Sequence, residues 1–135
     1  MNDFNQAVIE EFRANEGRVG GPFEGAPVLL LTSTGARSGE QRTTPVVYLR
    51  DGDRMVIFAS KGGAPTNPAW YHNLRANPAA TVEVGNETTG VNAVVTEGEE
   101  RERLFNRQAE LFPQFADYAR KTTREIPVVA LERTG

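Results

Sequence analysis

Residues 43 to 60, TTPVVYLRDGDRMVIFAS, restrict the fold of this chain more than any other stretch. β-Branched and aromatic residues crowd both sides of Asp51-Gly52, a dipeptide favoured in two-residue hairpin turns because such turns need positive φ, which glycine adopts without a Cβ penalty. Two strands, 43–50 and 53–60, therefore pair side by side, and an all-helical domain is excluded. Taking Asp51 and Gly52 as the turn residues, Arg50 faces Asp53 and Arg42 faces Lys61.

Further elements surround this hairpin. Phe4, Val8 and Phe12 recur at i, i+4 and i+8, which predicts a helix over 3–15. Segment 16–26 is Gly-rich and reads as irregular, and the apolar run after it predicts a buried strand over 28–32. A short helix is expected over 67–76, with Asn67 as its N-cap, Pro68 at its first position and Asn77-Pro78 as its stop. Strands follow at 79–84 and 88–96, then helices at 98–111 and 114–121, and a last strand at 126–132. About six strands with helices between them and no regular βαβ alternation give an α+β domain with a mainly antiparallel sheet. In so short a chain, closure into a small barrel is the economical way to remove sheet edges. At 135 residues the chain has the length of a single domain.

Composition removes several chemistries. There is no cysteine, so disulfides, thiolate nucleophiles and sulfur-ligated metals are out, and one histidine, His72, builds no multi-histidine metal site. That histidine lies outside any G-x-S-x-G elbow and reads as a partly exposed helix residue, so a Ser-His-Asp hydrolase is not supported. A net charge of −3 argues against a broad nucleic-acid surface, and no apolar run approaches the roughly 20 residues of a membrane span. The opening DFNQAVIEEF is unlike a signal peptide, so a cytoplasmic location is expected.

An anion site, if present, is local. TSTGARSGEQRTTP, residues 32–45, places Arg37 and Arg42 beside Gly35 and Gly39, with the Thr34 and Ser38 hydroxyls near, but lacks the lysine of a Walker A loop. Like charges directly opposed on a sheet destabilise it, so Arg42 and Lys61 either hold an oxyanion between them or splay into water. Trp70 and Leu74, four apart, read as core or as a stacking platform. Phe112, Phe115 and Tyr118, three apart, read as a helix stripe packed on the barrel or as a pocket wall with a phenol that donates a hydrogen bond or proton. No pair of carboxylates stands in an acid/base setting, so demanding chemistry calls for a bound organic cofactor.

The run LLLTSTGARSGEQRTTPVVYL, then DGD, FASKGG and NPAWYHNLRANP, resembles the deazaflavin (F420)-dependent nitroreductase family of split β-barrel oxidoreductases, with a weaker match through FPQFADYARKTTREIPVV. The resemblance implies one split-barrel cofactor-binding domain over 1–135 and an F420H2-dependent reductase that transfers hydride to a small-molecule quinone, enone or nitroaromatic acceptor. It implies coenzyme F420, with FMN as the alternative cofactor and a non-catalytic deazaflavin carrier as the alternative role. Carried over by position, Arg37, Ser38, Arg42, Ser60 and Lys61, with Ala59 beside them, match the phosphate and tail site. Pro45, Val46 and Val47 match the strand along the ring, and Pro68, Ala69 and Trp70 match the helix start that closes over it. Phe112, Phe115 and Tyr118 match the substrate pocket, with Tyr118 the catalytic candidate. Phe112 and Phe115 stand where some nitroreducing members have tyrosines, and Ala36 stands where several have a second basic residue. No nucleic-acid partner, metal or transmembrane segment is expected, and the chain is expected to be a monomer or homodimer.

Overall fold

The computed structural model describes residues 3–20 and 25–134, so residues 21–24 of the Gly-rich segment and the Phe4 side chain lie outside the described residues. The elements run α1 (Asp3–Ala14), β1 (Val28–Thr34), β2 (Gln41–Asp51), β3 (Arg54–Phe58), α2 (Ala69–Ala76), β4 (Ala79–Val84), β5 (Glu87–Val95), α3 (Gly98–Leu111), α4 (Gln114–Lys121) and β6 (Val128–Arg133). All six strands pair antiparallel and close into a barrel in the order β1-β2-β3-β6-β5-β4. The α+β split-barrel class read from the sequence is the class observed.

The apolar runs in β1, β3 and β6 follow from burial on both faces, since a strand covered on each side has no solvated positions to fill with polar residues. Inside the barrel, Leu29, Leu31, Met55, Ile57, Val82, Val91, Val129 and Leu131 pack together, and α2 plugs one end with Trp70, Tyr71 and Leu74. Outside it, α3 and α4 cover β3 and β6 with Leu104, Phe105 and Phe115 against Val56, Phe58 and Val128. α1 lays Ile9 and Phe12 on Val28 and Leu30. β5 buries only Val91 and is otherwise exposed or partly buried, since its outer face has no such cover.

The hairpin register differs from the expected one. Asp51 pairs with Arg54, so the two turn residues are Gly52 and Asp53 and Arg50 faces Met55. Gly52 stands first in the turn at φ +61, and Asp53 is not among the residues of positive φ. This matches the type II′ preference for glycine at the first central position. The shift lets the Asp51 carboxylate accept from Arg54 at 2.6 Å and from Arg103 of α3 at 3.2 and 3.3 Å, while Arg54 also donates to Glu100 at 3.0 Å. The hairpin tip is thereby tied to α3.

β2 outruns β3. Only Tyr48 to Asp51 pair with β3, whereas Gln41 to Val47 pair with β1 alone. Pro45 lies in this half-paired stretch, where a residue without an N–H leaves no ladder bond unmade on the open side.

The hydrogen bond from Arg103, and next that from Arg54, hold the Asp51 carboxyl below the usual carboxylate range. A depressed folded-state pKa adds stability that is present above the unfolded value near ~3.9 and is lost as pH falls through the folded value. Asp51→Asn is therefore expected to cost about 1 kcal/mol at neutral pH, or roughly 3–5 °C of Tm. Melting curves from pH 7 down to pH 2 check it: the gap to the parent chain should close as the medium acidifies, and a gap independent of pH would rule the ion pair out as its cause.

Candidate active site

Two cavities meet at Trp70, both along the open edge of β2. The larger, of about 720 Å³, is lined by Arg37, Ser38, Arg42, Thr43, Thr44 and Trp70, with Asn5, Ala69, His72 and Asn73 among the rest. The smaller, of about 310 Å³, is lined by Pro45, Val46, Val47, Phe58, Ser60, Lys61, Pro68, Trp70, Phe115 and Tyr118. The strand passes from hydroxyl and guanidinium side chains to apolar ones within a few residues.

The polar cavity is built on the turn after β1. Gly35 donates to the carbonyl of Glu40 at 2.7 Å, Gly39 to that of Gly35 at 3.0 Å, and the Glu40 N–H to Ser38 Oγ at 3.1 Å. A Cβ on Gly35 would lie 2.5 Å from Ser38 Oγ and 3.3 Å from the Glu40 carbonyl, so a larger residue there would displace the Ser38 hydroxyl. Asn73 of α2 accepts from the Ala36 N–H at 3.0 Å and fixes the turn to the helix. The successive N–H groups of Arg37 and Ser38 keep no protein acceptor among the described residues, which is the arrangement of a small anion-binding nest. Arg37 has no ion-pair partner among the described residues, and Arg42 meets only the exposed Glu40, at 3.3 Å. Such a lining receives phosphate or carboxylate oxygens.

Arg42 and Lys61 do not face each other. Arg42 pairs with Ser33 of β1, while Lys61 lies beyond the end of β3 in a 3-10 turn, Lys61–Gly63, where its ammonium donates to Thr66 Oγ1 at 3.2 Å. The expected juxtaposition fails because the turn register is different and because β3 ends at Phe58. The two cations instead belong to adjoining cavities. The Thr34 hydroxyl stands away from both, accepting from Gln41 at 2.9 Å.

The apolar cavity lies between the start of α2 and α4. Pro68 holds the N-cap position with extended backbone, and Asn67 makes no cap: its amide oxygen accepts from Arg124 at 2.6 Å. Trp70, 7% exposed, belongs to the core and also lines both cavities. Phe115 likewise packs edge-on against Phe58, with ring centroids 5.7 Å apart, and against Tyr118 at 5.2 Å while lining the cavity. Tyr118 is half-buried at the rim. Phe112 packs behind this cluster and lines neither cavity, and Ala59 is fully buried behind Ser60.

Sequence reading missed Thr43, Thr44 and Asn73, whose place follows from the open β2 edge and the α2 face. It also missed Arg124, whose four acceptors lie 57 to 65 residues away and which no local pattern marks. Among the described residues no group of acids and histidines is placed to hold a metal ion, and no helix is long and apolar enough to cross a membrane.

Comparison with known proteins accords with this geometry. Residues 5–133 match the model of the F420H(2)-dependent quinone reductase family. The F420H(2)-dependent quinone reductase Rv1261c of Mycobacterium tuberculosis is 43% identical over 126 residues, covering 90% of this chain and 85% of the relative. A solved F420-H2 dependent reductase, FDR-A, is 40% identical with a TM-score of 0.73, covering 78% of this chain and 94% of that one. A solved domain-swapped dimer is 34% identical with a TM-score of 0.74, covering 96% and 95%. A six-stranded split barrel with a cationic cleft opening onto an apolar one, matched from end to end by that family model, makes this chain a member of the F420H(2)-dependent quinone reductase family and an F420-dependent oxidoreductase.

Proposed function

We propose that the chain reduces a quinone with reduced coenzyme F420, the coenzyme lying along the open edge of β2 with its anionic tail in the larger cavity and its ring in the smaller. The observation that carries this reading is the change of lining along one strand, from Arg42, Thr43 and Thr44 to Pro45, Val46 and Val47, with Trp70 shared by both cavities. The residues fit the group. Two guanidiniums without buried counter-charges and two unbonded N–H groups suit a phosphate and carboxylates, and an apolar slot suits a planar ring.

When bound in its reduced form, the coenzyme supplies a hydride from C5 of its deazaflavin ring. The protein's part is placement. Arg37, Arg42, Ser38 and the nest fix the anionic end, while Pro45 to Val47 and the Pro68–Trp70 start of α2 hold the ring at one depth. Ser60 and Lys61 supply polar contacts within the smaller cavity, beside the buried Ala59. Phe58 and Phe115 exclude water beside the ring, which strengthens every hydrogen bond made there. A quinone that gains a hydride needs one proton to become a hydroquinone, and the Tyr118 hydroxyl at the rim donates to the acceptor oxygen. Phe112, which lines neither cavity, packs against the cluster that holds Phe115. The chain works as one domain, 1–135, in the cytoplasm, and light scattering decides between monomer and homodimer.

Three measurements test the reading. Fluorescence titration with coenzyme F420, with FMN in parallel, should give micromolar or tighter binding of the deazaflavin and none of comparable strength for FMN; the reverse preference would refute it. Arg42→Ala should weaken coenzyme binding by about 1.5 kcal/mol, roughly tenfold, the lower end for a charged hydrogen bond because the side chain is 54% exposed. An unchanged Kd would remove Arg42 from the tail site. Tyr118→Phe should lower kcat for quinone about a hundredfold at unchanged coenzyme affinity, the low end for a positioned proton donor; a wild-type kcat would assign the proton to solvent.

A further inference from the structure

Arg124 follows α4 and is absent from either cavity lining, yet it makes more hydrogen bonds across the fold than the cations that line them. Its Nε donates to the Ala64 carbonyl at 3.0 Å, Nη1 to the Ala59 carbonyl at 3.1 Å and to Asn67 Oδ1 at 2.6 Å, and Nη2 to the Ser60 carbonyl at 2.9 Å. All three guanidinium nitrogens are used. The acceptors are spread along the connector between β3 and α2, two at its start (Ala59, Ser60), one at its middle (Ala64) and one near its end (Asn67), so the planar fork ties the part that carries Ser60 and Lys61 to the part that leads into Pro68 and Trp70.

The connector needs such a tie. Lys61 is a non-glycine residue at φ +47, a left-handed conformation that costs free energy and persists only where the surroundings over-determine it. Gly63, at φ +86, lies so close under α4 that a Cβ would meet Lys121 Cβ at 2.9 Å and the Tyr118 carbonyl at 3.0 Å. Helix and guanidinium, both from the segment 114–124, grip the loop from two sides. All four acceptors are neutral, and among the described residues no carboxylate pairs with Arg124. Its charge is therefore left unmatched beneath the loop.

We propose that Arg124 is a positioning residue of the coenzyme site: its four-bond fork turns the chain away from β2 after Phe58, keeps the β2 edge open and sets Ser60 and Lys61 against it. This inference rests on the F420 reading of the site. It assigns the function to the shape of the guanidinium rather than to its charge, so lysine at this position is an inadequate substitute.

The test is Arg124→Lys in the full chain, with three readouts: amide hydrogen exchange of residues 60–67 without coenzyme, fluorescence titration with coenzyme F420, and the melting temperature. Faster exchange confined to 60–67, coenzyme binding weaker by about tenfold or more, and a melting temperature near that of the parent are expected. Unchanged exchange overturns the proposal whatever the affinity, and so does an unchanged Kd, since charge alone would then suffice. A global loss of protection with unaltered affinity of the folded fraction would make Arg124 a merely structural residue and overturn it equally. If Arg124→Lys does not fold, Asn67→Ala and Asn67→Asp decide instead. The first removes a single acceptor and should loosen 60–67 and weaken binding; the second restores an oxygen to accept the same bond and should recover both, and failure to recover either overturns the proposal. Should the parent chain bind no F420, the cofactor reading falls, while the exchange data still decide whether the fork holds the loop.

Discussion

The site depends on β3 being shorter than β2. A closed barrel satisfies every strand edge, and had β3 continued opposite β2 to Gln41 there would be no cleft. Because the chain leaves the sheet at Ala59, seven residues of β2 keep one side of their backbone unpaired. The connector that leaves room for them returns as α2 to plug the barrel with Trp70, Tyr71 and Leu74. One departure from ladder pairing thus makes the opening and supplies its wall.

Much of this was legible in the sequence. Each helix and strand lies within a few residues of where periodicity, proline and glycine place it, because burial on one or two faces leaves a strong imprint on composition. The hairpin register was not legible. The expected and observed registers differ by one step on each strand, which leaves every side chain on the same side of the sheet, so the alternation of apolar residues cannot separate them. The charges do, and Glu100 and Arg103 of α3, which meet Asp51 and Arg54 at the tip, lie about fifty residues away.

Asn67 illustrates a second limit. By type and position it is a good N-cap, and the helix does begin just after it, yet its side chain turns away to Arg124. A local rule describes what a residue can do for its own helix and is silent on a stronger distant partner. The family resemblance carried the site further than local rules could, because most of the residues it marks line one of the two cavities. It did not reveal that the cations divide between those cavities, nor that Ala59 and Phe112 stand behind the lining rather than in it.

The contact of Gly63 with α4 has a consequence for how such a protein diversifies. The helix that presents Phe115 and Tyr118 rests by its backbone and by Lys121 on the turn that presents Lys61. Phe115, Tyr118 and Lys61 line one cavity, so a change in α4 that moves the aromatic wall also moves the turn that presents the cation opposite it. A library randomising residues 112–121 would therefore displace the Lys61 turn along with the wall it was meant to vary.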